Sequence, residues 1–362
     1  MNDTEKKKNL DSSKRSSSSY HFSETVVRNI ILLTIIIVFS IYVQIQNDNF
    51  LTLNSIGVIG LNISFIGIAA IGTALLMIGG QIDLSIGSIF AFAAVISGLM
   101  ASLIDPQLAI VVGVLSGGMI GLINGLIVWR ISISPIIVTL GALTFVRGLV
   151  LIITDDKSVT GIPENFTILG RTVVLGMPLP VIIFLVIGIL AGLILSFTRV
   201  GLRIRAFGDN KAGAELSGLS GRNLTIGLFF FSGLVSGLAG VLATSRLGGA
   251  SPNFGIGFEL EVITAVVLGG VAITGGEGRI TGVALSVVLL GVVKSGITAL
   301  GLDPNIGRLI VGGALIGAVA LNQLGVERHN RSRRKQAMAE FAADGGVADR
   351  LGLTKSANRD GD

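Results

Sequence analysis

Long apolar runs recur from Ile30 to Gly325, and several exceed the roughly 20 residues that a helix needs to cross a hydrocarbon core of about 30 Å. No water reaches that core, so an unpaired backbone N–H or C=O there is too costly, and runs of this length must be helical. A membrane β-barrel would need short segments of alternating polarity, and these are absent. Composition agrees: with 51% apolar and 14% charged residues and a mean hydropathy of +0.82, 362 residues hold too little polar surface for a soluble domain. The expected fold class is all-α, a polytopic membrane protein.

About ten transmembrane helices are expected, over 30–46, 55–79, 86–104, 108–129, 135–153, 179–198, 223–245, 259–274, 280–300 and 306–324. The eighth is short and Gly-rich at its end. Pro135 suits the first turn of the fifth span, and Asp105-Pro106 and Asp303-Pro304 mark turns. Residues 1–29, with Lys6, Lys7, Lys8, Lys14, Arg15 and a Ser run, read as a disordered cytoplasmic tail. Ile30–Val43 has no small-residue cleavage site after it and reads as an uncleaved span. Residues 326–362 form a second polar tail, leaving 30–325 as the membrane domain. Alternating the spans from a cytoplasmic N-terminus puts both tail clusters, Arg130, Arg199, Arg203, Arg205, Lys211, Arg222 and Arg279 inside. Only Lys157, Arg171, Arg246 and Arg308 fall outside. That asymmetry follows the positive-inside rule and predicts that both termini are cytoplasmic.

Several chemistries drop out. There is no cysteine, and the two histidines, His21 and His329, lie in the tails, so haem, zinc or copper sites are not expected and no cofactor is assigned to the chain. The net charge of +5 is concentrated beside apolar segments, which points to topology rather than nucleic acid. No G-x-x-x-x-G-K-[ST] loop occurs, so the chain cannot cradle ATP phosphates in that way, and catalytic H-E-x-x-H and G-x-S-x-G motifs are missing too. If ATP drives this protein, another subunit hydrolyses it.

Within the spans, Gly113, Gly117, Gly121 and Gly125 make a one-in-four stripe. Ser232, Gly233, Ser236, Gly237 and Gly240 make a second, and Gly313 and Gly317 a third. Such stripes suit close helix packing, with a flexible pore helix as the alternative. Asp83, inside Gly79–Gly87, either N-caps the third span at a wet interface or serves a pathway. Arg147 and Lys294 either snorkel to an interface, pair with an acid or hydrogen-bond hydroxyls in a passage; the passage is favoured for Arg147 and snorkelling for Lys294. Glu259 and Glu261 open the eighth span, where carboxylates suit a helix N-terminus, and Glu277 and Arg279 mark a cytoplasmic turn.

Four segments resemble the ribose-type permeases of bacterial ATP-binding-cassette importers, in the wider group that includes branched-chain amino-acid permeases. They are GGQIDLSIG (79–87), NGLIVWRISISPIIVTLGALTFVRG (124–148), GLRIRAFGDNKAGAELSG (201–218) and ELEVITAVVLGGVAITGGEGRITG (259–282). The resemblance implies a second permease copy or paralogue, a cytoplasmic ATPase carrying ATP and Mg, and an extracytoplasmic solute-binding protein. It also implies an ATPase-coupling loop over Arg205, Ala206, Gly208, Asn210, Ala212, Gly213, Ala214, Glu215, Ser217 and Gly218. Within it Asn210 suits an N-cap and Gly218 a terminator. Ala212, Leu216 and Leu219 share a face, and Lys211 and Glu215 are placed to pair. The translocation-pathway candidates are Asp83, Asn124 and Arg147. The solute implied is a sugar or sugar-like molecule, with a nucleoside, a furanose-like signal molecule or a branched-chain amino acid as alternatives. Only Trp129 and Tyr42 are read as aromatic platforms in the spans, so selectivity is expected mainly in the binding protein. An ion-coupled transporter would need midplane ionisable residues, and a scaffold would not need the coupling loop.

Overall fold

The computed structural model describes the backbone of residues 3–320, with side chains from residue 25 onward. Contacts divide the chain into Met1–Leu315 and Ile316–Asp362, and the packing that builds the site lies within the first unit. In chain order the first elements are α1 (Asp3–Gln46), α2 (Leu53–Ile78), α3 (Ile86–Ala101), α4 (Pro106–Ile131), α5 (Pro135–Thr154) and α6 (Glu164–Arg171). A hairpin of β1 (Val173–Val174) and β2 (Met177–Pro178) leads to α7 (Leu179–Phe197), α8 (Arg199–Asp209) and α9 (Lys211–Leu216). The rest comprises α10 (Gly221–Leu247), α11 (Phe258–Leu268), α12 (Ile280–Ala299) and α13 (Asn305–Ala320).

Among the described residues, seven helices are long and apolar enough to cross a membrane: the Thr25–Gln46 part of α1, with α2, α4, α5, α7, α10 and α12. Two expected spans differ. The eighth, expected over 259–274, is an 11-residue helix of about 16 Å, half the thickness of a bilayer core. The third stops at Ala101 after 16 residues. The eighth is cut by glycine, since Gly270 follows its end at φ +81°, which a side chain would strain, whereas the third ends at the cap residue Ser102. Residues 3–29, expected as a tail, are described as the first part of α1. The last residues of the tenth span, 321–324, and the tail 326–362 with His329 and Arg328–Lys335 lie outside the described residues.

Turn chemistry matches expectation elsewhere. Asp105 Oδ1 accepts from the backbone N–H of Gln107 at 2.8 Å and of Leu108 at 3.3 Å, with Pro106 in the first turn of α4. Pro135 opens α5 in the same way. The β1–β2 hairpin was not expected; Leu175 and Gly176, at φ +52° and +80°, form its tight turn.

α10 is the central helix, packed against α2, α3, α4 and α6. Its faces are divided among these partners. Gly233 and Gly237 meet the α4 stripe, Gly240 meets the backbone of α3 at Phe90, and Ser232 meets α2 at Gly72. A Cβ on Gly117 would lie 2.6 Å from the Gly233 carbonyl oxygen and 2.8 Å from Gly237 Cα. One on Gly121 would strike the Phe229 carbonyl. The first two stripes are therefore packing surfaces. Around Gly313 and Gly317 of α13 there is open space.

Gly117→Ala should cost about 1–3 kcal/mol through overpacking of backbone on backbone, seen as a lower melting temperature of the purified protein. Gly141→Ala on α5, where an added Cβ meets nothing within 4 Å, should not lower it.

Candidate functional site

The chain leaves its helix between Ile78 and Ile86. Asp83 Oδ1 accepts from both the backbone N–H and the hydroxyl of Ser85, at 2.7 and 2.6 Å, and Asn124 Nδ2 donates to Ser85 Oγ at 2.9 Å. Asn124 stands seven residues, about 10 Å of helix, before the end of α4 at Ile131. The Asp83–Ser85–Asn124 cluster therefore lies within the thickness that α4 spans. Asp83 is fully buried and its Oδ2 has no hydrogen-bond partner. It neither N-caps α3, whose cap residue is Ser85, nor meets water. That interface reading fails because Asp83 is wholly enclosed by protein.

α11 ends in a second non-helical segment, 269–279. Its turn glycines, Gly275 and Gly276, carry φ of +92° and +80°. The Gly276 N–H donates to the Ile78 carbonyl at 2.8 Å, and a Cβ on Gly80 would lie 3.3 Å from Gly208 Cα. Thus the end of α2, the end of α8 and the 275–276 turn touch backbone to backbone, at positions where any side chain would separate them. Arg205 on α8 fastens the same junction, donating from Nη2 to the Gly278 carbonyl at 2.9 Å. Burial pushes its guanidinium below the usual arginine range, nearby Arg279 adds to this, and Glu277 opposes it.

Between α2, α3, α11, α12 and the Leu247 end of α10 lies a cavity of about 590 Å³. Phe65, Phe90, Phe254 and Phe258 form its apolar wall; the Phe90 ring centroid is 4.6 Å from that of Phe258 and 6.4 Å from that of Phe254. Asn62, Arg246, Glu261, Lys294 and Ser295 supply its polar side. Lys294 Nζ lies 2.9 Å from both Oε1 and Oε2 of Glu261. Size, aromatic wall and a few converging polar groups make this a candidate for a solute chamber.

A model of the family described as "Branched-chain amino acid transport system / permease component" matches residues 56–319. The chain belongs to this permease family. It is 35% identical over 290 residues to the D-allose transport system permease protein of Escherichia coli strain K12, covering 80% of this chain and 89% of that one. It is 35% identical to the ribose import permease protein of Bacillus subtilis strain 168, covering 78% and 89%. The L-arabinose ABC transporter permease protein of Azospirillum brasilense is 37% identical, covering 79% and 84%. No solved structure matches the chain.

In this permease Asp83 and Asn124 meet through Ser85, whereas Arg147 stands apart from them. Its Nη1 donates to the carbonyls of Pro252 and Phe254, at 2.9 and 2.6 Å. It thereby ties α5 to the loop that carries Phe254 and Ile256 into the chamber wall. That loop is held a second time where Val159 and Ala250 exchange backbone hydrogen bonds of 2.7 and 3.0 Å. Lys294, expected to snorkel, is tethered by Glu261 instead. The signal that sequence reading passed over was phenylalanine, with 17 in the chain, because the search for platforms stopped at Trp and Tyr.

The loop between α7 and α10 folds as two short helices. Asn210 caps α9, its Oδ1 accepting from the Gly213 N–H at 2.9 Å, and Gly218 takes φ +83°. Lys211 does not pair with Glu215: its Nζ lies over Trp129 and Phe207, 5.4 and 5.8 Å from their ring centroids. Ala214 is buried, whereas Leu216 is 91% exposed. Ala206 and Ser217 complete the expected set, Ser217 Oγ bonding the Gly213 carbonyl at 2.9 Å.

Arg147→Met removes both bonds to the loop, so backbone amide exchange over 250–257 should speed up by about tenfold or more. Arg147→Lys, which keeps one donor group, should speed it less. Unchanged exchange in Arg147→Met would show that the Val159–Ala250 pairing alone holds the loop.

Proposed function

We propose that this permease is the membrane-spanning subunit of an ATP-binding-cassette importer for a sugar or sugar-like solute, crossing the membrane about ten times with both termini in the cytoplasm. The observation that carries this is the match, over about four-fifths of the chain, to permeases described as serving D-allose, ribose and L-arabinose. The chamber supports it. A monosaccharide offers an apolar face to the phenylalanines and hydroxyls to Asn62, Glu261, Lys294 and Ser295. In this reading the chamber opens on the outer side and receives solute from an extracytoplasmic binding protein. The membrane domain, residues 30–325, works with a second permease copy or paralogue. The polar ends, 1–29 and 326–362, stay in the cytoplasm.

The chain has no phosphate-cradling loop, so ATP and Mg belong to a separate cytoplasmic ATPase. α9 is the coupling element, presenting Ala212 and the exposed Leu216 to that subunit. The Asp83–Ser85–Asn124 cluster and Arg147 line or brace the path: the first lies along the broken segment below the chamber, the second holds its outer wall.

In proteoliposomes holding the permease, its ATPase and its binding protein, tritiated ribose, D-allose and L-arabinose should be tried in turn. At least one should enter only when ATP is present on the ATPase side; uptake driven by an ion gradient without ATP would overturn the importer reading. Leu216→Glu should leave the permease inserted and lower ATPase co-purification and uptake about tenfold or more, since a buried unpaired charge at a docking face is strongly unfavourable. It is a cleaner probe than Ala214→Trp, because Ala214 packs within the permease itself. Reporters fused within 203–219 and after Asp362 should read as cytoplasmic, and one within 157–170 as external.

A further inference from the structure

The ion pair in the chamber has no obvious stabilising task. A pair whose members are 41% and 22% exposed gains little net stability after solvent screening and the cost of ordering two long side chains. In a wall otherwise shaped by phenylalanine, apolar residues of similar volume would pack at least as well. Yet Glu261 comes from the first turns of α11, the half-length helix, and Lys294 from the middle of α12, and both aim into the same space.

Two features of this pair constrain what it can recognise. Lys294 Nζ is equidistant from the two carboxylate oxygens, so one ammonium hydrogen or more remains free, and each carboxylate oxygen keeps an unused lone pair. The pair therefore offers a donor and an acceptor side by side. The pair is neutral in itself, with Arg246 as the other charged group on the chamber wall, so a solute carboxylate or phosphate drawn to Lys294 must approach Glu261, and a solute ammonium drawn to Glu261 must approach Lys294. A vicinal diol meets neither penalty: one hydroxyl donates to the carboxylate while its neighbour accepts from the ammonium. Phe90 and Phe258, with planes tilted by 35°, line the same chamber and offer an apolar surface for the C–H face of the same ring.

We propose that Glu261 and Lys294 form a diol-reading pair that makes the permease itself selective for uncharged, hydroxyl-rich solutes, as a second filter after the binding protein. This rests on the reading that the chamber holds a sugar. A site built to bond hydroxyls rejects analogues that lack them, because its own polar groups are then left unpaired.

The test uses the complete transporter in proteoliposomes, at saturating binding protein, with whichever of ribose, D-allose and L-arabinose it imports. Uptake is compared with that of the corresponding deoxy-sugar and sugar acid. Wild type should favour the parent sugar over both by about tenfold or more, the size expected for charged-group hydrogen bonds. Glu261→Gln and Lys294→Gln should each slow the parent sugar and shrink the sugar to deoxy-sugar ratio toward one, with ATPase co-purification retained. The double swap Glu261→Lys with Lys294→Glu restores the ion pair with its polarity reversed. It should regain the wild-type melting temperature and, because a hydroxyl both donates and accepts, part of the sugar to deoxy-sugar ratio. A swap that regains the melting temperature with a ratio of one, single variants with unchanged ratios, or a wild type that prefers the sugar acid would overturn the proposal. Import of none of the three sugars would instead overturn the sugar reading, and the proposal with it.

Discussion

A polypeptide that leaves its helix among packed helices must find other partners for its amides and carbonyls, and this requirement organises the molecule. The segments 79–85 and 269–279 both do so. Their needs are met internally: Gln81 N–H returns to the Leu76 carbonyl, Val271 N–H to Val266, Ala272 N–H to Glu277, and Gly276 N–H crosses to Ile78. Such closure requires backbones within touching distance, and only glycine at 80, 208 and 276 allows it. The α4–α10 stripe extends the same logic. By bringing two long helices together without side chains between them, it makes α10 a central post, and the broken segments are covered by protein rather than lipid.

Those breaks place chemistry where continuous helices would not. An unbroken α2 would carry Asp83 out toward its helix end. The extended turn instead brings it back to Ser85 and Asn124, in a fully buried position. The start of α11 has a comparable effect, because the cap at Gly257 leaves Phe258 and Glu261 in the first turns of the helix, both lining the chamber. The glycine junction then joins the far ends of these two segments to α8, which leads directly into α9. One backbone contact therefore connects α8, which leads into the element proposed to meet the ATPase, with both non-helical segments. Discontinuous helices at corresponding points of a transporter are where binding and gating are expected on general grounds.

Much of this was legible in the sequence, and the failures share a cause. Runs of apolar residues gave the long helices, and Asp105-Pro106, Pro135, Asn210 and Gly218 marked their ends because capping is local chemistry. The stripe at Gly113–Gly125 announced close packing, because one-in-four spacing is a property of a single helix. What escaped were arrangements that depend on where two distant segments meet. Lys294 looked like a snorkelling residue because Glu261 lies 33 positions away, and Lys211 looked paired to Glu215 because Trp129 is far off in the chain. Hydropathy averaging also hid the half-length of α11, since Gly269–Thr274 scores as apolar whether or not it is helical.

Arg147 shows how one charge can be used twice. A guanidinium in a membrane helix is expensive unless it is hydrogen-bonded, and here two backbone carbonyls satisfy it. Those carbonyls belong to Pro252, which has no N–H to offer any partner, and to Phe254, whose ring packs against Phe90. The loop therefore cannot lift from the chamber without breaking charge-assisted bonds at one end and aromatic contact at the other. Gly255 and Gly257, at φ of +71° and +77°, let the chain turn sharply enough between those two points to seat Ile256 in the wall. Gly255 lies against the backbone of Gly87, at the start of α3, so the same few residues close the chamber and touch the helix that follows the buried Asp83. The stabilisation of a buried arginine and the shape of the solute chamber are thus consequences of a single loop conformation.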